Sequence, residues 1–196
     1  MVKKFFERKI NRNVYEIFAG EYHVSTNQKI AFKTLLGSCV SVCMLDLRLG
    51  IAGMNHFMLP STRKVEDIVF NQDARYGINA MEMMINEMMK KGARRKNLAA
   101  KVFGGGKVME NELTNVAHSN VEFVLSYLKM EDITIKAKDL GGTQGRKVYF
   151  FPDTFDIYLK KIGEKRKIKT AVAKEKVLLE QMNKKKKEEG ELTLFD

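Results

Sequence analysis

Proline and cysteine are almost missing from this 196-residue chain, with two of each, and tryptophan is absent. Two cysteines cannot staple a small secreted scaffold, and Cys39 and Cys43 form neither a CxxC pair nor a Cys/His cluster that would suggest zinc. In a reducing compartment both are thiols. No run of about 18 apolar residues exists, which excludes a membrane-spanning helix, and residues 1–12 are too polar for a secretory signal. The expectation is a cytoplasmic protein without membrane insertion. Hydrophobic residues make up 44% and charged residues 30%, so the chain can bury a core and is not a wholly disordered one.

A formal charge of +11 raises the question of nucleic acid, and the answer lies in its distribution. Residues 1–12 contribute +4, residues 160–196 contribute +5, and the long stretch 13–159 only +2. The body is nearly neutral. With no helix-turn-helix, zinc or RNA-recognition signature, nucleic acid is not an expected partner, and basic ends fit a solubilising role. The charge steps also suggest an organisation: a basic arm over 1–12, one domain over 13–162, and a Lys/Glu-rich, partly helical or disordered tail over 163–196.

Within the domain, Val14–Phe18, Lys29–Leu35, Cys39–Leu45, Ile51–Leu59, Leu98–Phe103 and Ile133–Ala137 read as strands, and Lys147–Phe151 with Phe155–Lys160 reads as a hairpin around Pro152-Asp153. Ala74, Ile78, Met81, Ile85 and Met88 recur at helical spacing, with Gly92 as a stop; Leu113, Ala117, Val121, Val124 and Leu128 outline a second helix. Many strands, mostly linked by hairpins, and two helices predict an α+β fold with helices packed on mixed sheet.

The informative constellation is Leu36-Gly-Ser-Cys39-Val followed by Gly53-Met-Asn-His56-Phe-Met-Leu-Pro60. A hairpin centred between Leu47 and Arg48 would set Cys39 directly opposite His56, with Cβ atoms about 4.5 to 5.5 Å apart. An imidazolium beside a thiol favours the nucleophilic thiolate, and Gly37 leaves room for a substrate. The alternative is that both are buried structural residues, as free cysteines and lone histidines commonly are. Cys43, opposite Ala52 in that register, lacks a base and reads as core. His23 and His118 have no recognisable partners. Gly104-Gly-Gly-Lys107 fails the phosphate-loop spacing and reads as a tight turn near a cleft, and the methionines between 81 and 89 as core or partner surface.

These two motifs, together with the Gly104–Gly106 turn and Asp139-Leu-Gly-Gly-Thr-Gln-Gly-Arg146, resemble the CheD family of chemoreceptor glutamine deamidases over roughly residues 14–160. The resemblance implies a three-layer α/β/β fold with two main helices on one side, and a Cys/His/Thr triad. Cys39 matches the nucleophile and His56 the base. Thr34 is the candidate third member, one place nearer the cysteine than in the family pattern, where Lys33 stands here. Ser38, Asn55, Gly104 and Gly105 are the expected substrate contacts. The implied reaction is thiol-dependent hydrolysis of glutamine side chains on chemoreceptor cytoplasmic helices, needing no metal or cofactor. The alternative is a non-catalytic partner and regulator of the chemotaxis phosphatase CheC. A cysteine-protease-like site fits less well, since those enzymes place the nucleophile at a helix N-terminus with its histidine far downstream, not 17 residues on.

Overall fold

A computed structural model describes residues 2–59, 72–108 and 113–163, together with helical backbone at Ala173, Val177, Glu180 and Gln181. The expected tail lies almost wholly outside the described residues. One mixed sheet contains β1 (Lys3–Glu7), β2 (Arg12–Glu16), β4 (Ile30–Leu36), β9 (Gly145–Phe151) and β10 (Asp156–Ile162), in the order β1-β2-β4-β9-β10. The other contains β3 (Tyr22–Ser25), β5 (Val40–Asp46), β6 (Ala52–Asn55), β7 (Leu98–Gly104) and β8 (Thr134–Leu140), in the order β3-β6-β5-β7-β8. Helices α1 (Gln72–Lys90) and α2 (Leu113–Met130) complete the α+β fold. Each sheet has a single parallel pair, β2 with β4 and β7 with β8. The chain between β7 and β8 contains α2, as a parallel crossover requires. Among the described residues no helix is long and apolar enough to cross a membrane.

Strand β5 explains the layering. All seven of its residues are buried, because period-two alternation sends them into two different cores. Val40, Val42 and Met44 point into a cluster shared with Met81, Met84, Ile85 and Met88 of α1 and Val124 and Leu128 of α2. Cys43 and Leu45 point the other way, toward Phe32, Val148 and Phe150 of the opposite sheet. The helices therefore cover one face of the β5 sheet, and the second sheet covers the other. The buried face of α1 includes Met84 as well as the expected Met81, Ile85 and Met88, while Ile78 faces out; the Ala74 side chain is outside the described residues.

Two strands escape the sequence pattern. The basic N-terminal residues contribute β1, an edge strand paired antiparallel with β2, and β3 lies inside the polar stretch 21–28. Both are edge strands, so little apolar alternation marks them. The hairpin around Pro152-Asp153 forms as expected, with Phe151 opposite Asp156.

The β5–β6 hairpin differs from expectation in register. Cys43 pairs with Met54, Met44 with Gly53 and Leu45 with Ala52, and a bridge joins Val40 to Phe57. The hairpin is thus centred between Arg48 and Leu49. Asp46 is the cause. Its backbone N–H donates to the Ile51 carbonyl at 2.9 Å, its carbonyl accepts from Gly50 at 2.8 Å, and its carboxylate accepts from the N–H groups of Arg48 and Leu49, both at 2.9 Å. That carboxylate organises a four-residue loop, which moves every cross-strand partner by two.

Candidate active site

Cys39 occupies the crossover between the sheets: β4 ends at Leu36 in one sheet and β5 begins at Val40 in the other. Every carbonyl of this three-residue crossover accepts a hydrogen bond from distant chain. Gly106 N–H donates to Gly37 at 2.8 Å, the Asn120 amide to Ser38 at 3.0 Å, and Gly105 N–H to Cys39 at 2.8 Å. The segment carrying the thiol is held rigidly from the β7 end and from α2.

Gly104 and Gly105 are buried against this backbone rather than lining an open groove. Gly104 has φ +122°, and a Cβ there would lie 2.2 Å from the Cys39 carbonyl oxygen. Only glycine combines that dihedral with that approach. Behind the turn, the buried Arg146 guanidinium binds the Asp139 carboxylate at 2.7 Å and the Gly141 carbonyl at 2.6 Å, which shapes the loop facing Gly106. The Asp139–Arg146 motif therefore supports the glycine turn.

His56 follows β6. Its N–H donates to the Glu21 carbonyl at 2.9 Å and its carbonyl accepts from Gly20 at 2.8 Å, so the β6 pairing hands over here to the loop before β3. In the observed register Cys39 and His56 are not directly opposed. Each immediately precedes one member of the Val40–Phe57 bridge, which makes them diagonal neighbours on one face, a separation of about 7 to 8 Å between Cα atoms that side chains can span. Because the register moved by two and not by one, both still face the second sheet.

Thr34 meets His56 there. The threonine Oγ1 lies 2.8 Å from His56 Nδ1 and donates its only hydrogen to the Ile17 carbonyl at 2.7 Å. Having spent that hydrogen, the oxygen accepts from Nδ1–H, which fixes the tautomer and leaves Nε2 to take up or release a proton. Lys33, whose position the family pattern assigns to threonine, instead pairs with Glu16 at 2.5 Å on the outer face. Alternation along β4 separates the two, sending Thr34 between the sheets and Lys33 to the other face.

Asn55 ends β6, one residue before His56. Its Oδ1 accepts from Val42 N–H at 2.9 Å and its Nδ2 contacts Met81 Sδ at 3.2 Å, toward the helix layer. Asn55 nevertheless lines the same cleft as His56. Ser38 is fully buried, with its carbonyl on Asn120.

Asn120 is the residue that sequence reasoning missed. It is completely buried, and besides binding Ser38 it accepts from Leu59 N–H at 2.7 Å, so it ties the cysteine crossover to the chain just after His56. The available signal was an amide three residues after Ala117 and four before Val124, on the apolar side of a helix.

The two remaining histidines have the partners that sequence reading could not see. His23 stacks on Tyr15 with ring centroids 4.3 Å apart, and His118 contacts Glu122 at 3.0 Å. Cys43 is fully buried and burial pushes its thiol well up, so it stays protonated. Cys39 is also fully buried; His56 lines a cleft with Glu21, Tyr22, Asn55, Tyr76, Asn79 and Met83.

These features define a three-layer α/β/β protein with a cysteine at a sheet crossover and a threonine-anchored histidine beside it. The family model for CheD chemotactic sensory transduction matches residues 58–161. A protein of Methylobacillus flagellatus named probable chemoreceptor glutamine deamidase CheD is 42% identical over 193 residues, covering 97% of this chain and 94% of its own. Similarly named proteins of Cupriavidus pinatubonensis and Shewanella oneidensis are each 45% identical, covering 78% and 81% of this chain and 70% and 77% of their own. The chain belongs to the CheD family.

Proposed function

We propose that this protein is a protein-glutamine deamidase acting on chemoreceptor cytoplasmic helices, with Cys39 as nucleophile, His56 as acid and base, and Thr34 as the residue that orients the imidazole. The observation that carries the reading is the Ile17–Thr34–His56 chain of hydrogen bonds, which holds the imidazole by Nδ1 and leaves Nε2 as its other nitrogen, on a residue diagonal to Cys39. Membership of a family whose relatives bear the deamidase name supports the reaction and the substrate class.

In the proposed cycle His56 Nε2 takes the Cys39 proton, and the sulfur adds to the side-chain carbonyl of glutamine. The imidazolium returns the proton to nitrogen as the C–N bond breaks and ammonia leaves. Water, deprotonated by the same imidazole, then hydrolyses the thioester to give glutamate and restore the thiol. The pinned crossover carbonyls support this chemistry by preorganisation: the attacking atom is held before the substrate arrives. Ser38 and Cys39 would serve the reacting carbonyl through backbone N–H groups, and Gly104 and Gly105 through the loop they hold. The new glutamate places a negative charge on the receptor helix, which changes repulsion between neighbouring helices.

Mass spectrometry of a receptor cytoplasmic fragment incubated with the protein tests the assignment, through a gain of about 1 Da per converted amide. The gain is expected with the wild type and lost in Cys39→Ala. No gain with the wild type, or an undiminished gain in the variant, overturns it. The alternative reading, a regulator of CheC, is separable by the same variant: if the chain is mainly a regulator, Cys39→Ala should leave phosphatase stimulation intact.

A further inference from the structure

The reacting carbonyl develops negative charge as sulfur adds, and a donor beyond the Ser38 and Cys39 N–H groups has to come from elsewhere, since the next candidates are committed. Gly105 and Gly106 N–H groups bind the Cys39 and Gly37 carbonyls, and the Asn55 amide faces Met81. The cleft that His56 lines also carries phenols, Tyr22 and, from α1, Tyr76. Burial first, and then the negative charge of a Cys39 thiolate, hold the Tyr76 hydroxyl above its ordinary range, so it remains a donor while the sulfur is ionised. A half-buried tyrosine in the cleft that His56 lines is placed to touch a carboxamide brought to that histidine.

Resting on the deamidase reading, we infer that Tyr76 is a further catalytic residue, whose phenolic O–H donates a hydrogen bond to the carbonyl oxygen of the substrate amide. As the C–S bond forms, the carbonyl π electrons move onto that oxygen and the Tyr76 hydrogen bond strengthens. When the C–N bond breaks, the electrons return to reform the carbonyl of the thioester, and the nitrogen departs as ammonia with the proton from His56. Tyr76 keeps its own proton throughout. The same contact recurs when water adds to the thioester.

Because the interaction strengthens only as charge develops, its loss belongs in kcat and not in KM. The test is Tyr76→Phe, assayed by release of ammonia and by mass gain on a receptor fragment, with thermal unfolding followed by circular dichroism. The expected result is a fall in kcat of about 10- to 100-fold with KM changed less than about twofold and an unchanged melting temperature. A kcat within about twofold of the wild type, or a loss carried by KM, overturns this role for Tyr76 and leaves the deamidase reading intact. An inactive wild type overturns both.

Discussion

The Thr34 hydroxyl, in one sheet, lies 2.8 Å from the Nδ1 of His56, which follows a strand of the other. This is a hydrogen bond across the interface between two layers, and the hydroxyl is itself directed by the Ile17 carbonyl. Thr34→Val keeps the buried shape but removes the acceptor for Nδ1–H. Deamidation should fall about 10- to 100-fold, the usual cost of losing the partner that orients a working histidine. Thr34→Ser, which keeps the oxygen, should retain most activity. Initial rates on a receptor fragment decide between an orienting hydroxyl and a packing methyl.

Asn120 satisfies two buried backbone groups at once, the Ser38 carbonyl and the Leu59 N–H. Asn120→Leu leaves both unpaired, and the expected loss is about 2 to 4 kcal/mol of unfolding free energy, read from urea titration. Because one of those groups belongs to the cysteine crossover, deamidation by the folded fraction should drop as well. Full activity with lowered stability would confine Asn120 to a structural role.

Gly104 sits at φ +122° against the Cys39 carbonyl. Gly104→Ala brings a Cβ into contact with backbone that cannot retreat without moving the thiol. A destabilisation on the order of 3 kcal/mol is expected, together with loss of the mass gain on the receptor fragment. Chemical denaturation and the deamidation assay on the same preparation check both.

Asp46 links stability to pH through the turn that sets the hairpin register. Burial pushes its carboxyl up, but hydrogen bonds from the Arg94, Leu49 and Arg48 N–H groups and from the Asn97 side chain outweigh it and hold the group below its usual range. A carboxyl depressed in the folded state stabilises the protein above its unfolded pKa of about 3.9 and loses that contribution as pH falls through the folded value. The urea midpoint should therefore decline as pH drops below about 4. Asp46→Asn should lower the midpoint at pH 7 and flatten the acid decline. Asp139 and Asp153 are likewise held low, so the decline should not vanish. An identical acid profile in the variant would exclude Asp46 as a contributor.

Much of this architecture was written in the chain. Helical spacing marked α1 and α2, β-branched and apolar runs marked β4, β5 and β7, and Cys39 and His56 stood out as a thiol and an imidazole joined by one short hairpin. Alternation and periodicity are properties of neighbouring residues, so they survive without knowledge of the fold. What required the folded molecule was the turn geometry that sets strand register and the contacts between residues far apart in sequence. Asp46 binding its own turn moved the hairpin centre by one residue, which made Cys39 and His56 diagonal neighbours and kept their shared face. That Thr34 and not Lys33 meets His56 depends on which side of β4 faces the other sheet. Asn120, 82 positions from Ser38, carried no local mark of its partner. Sequence fixes which way a side chain alternates; only packing between layers determines what it finds there.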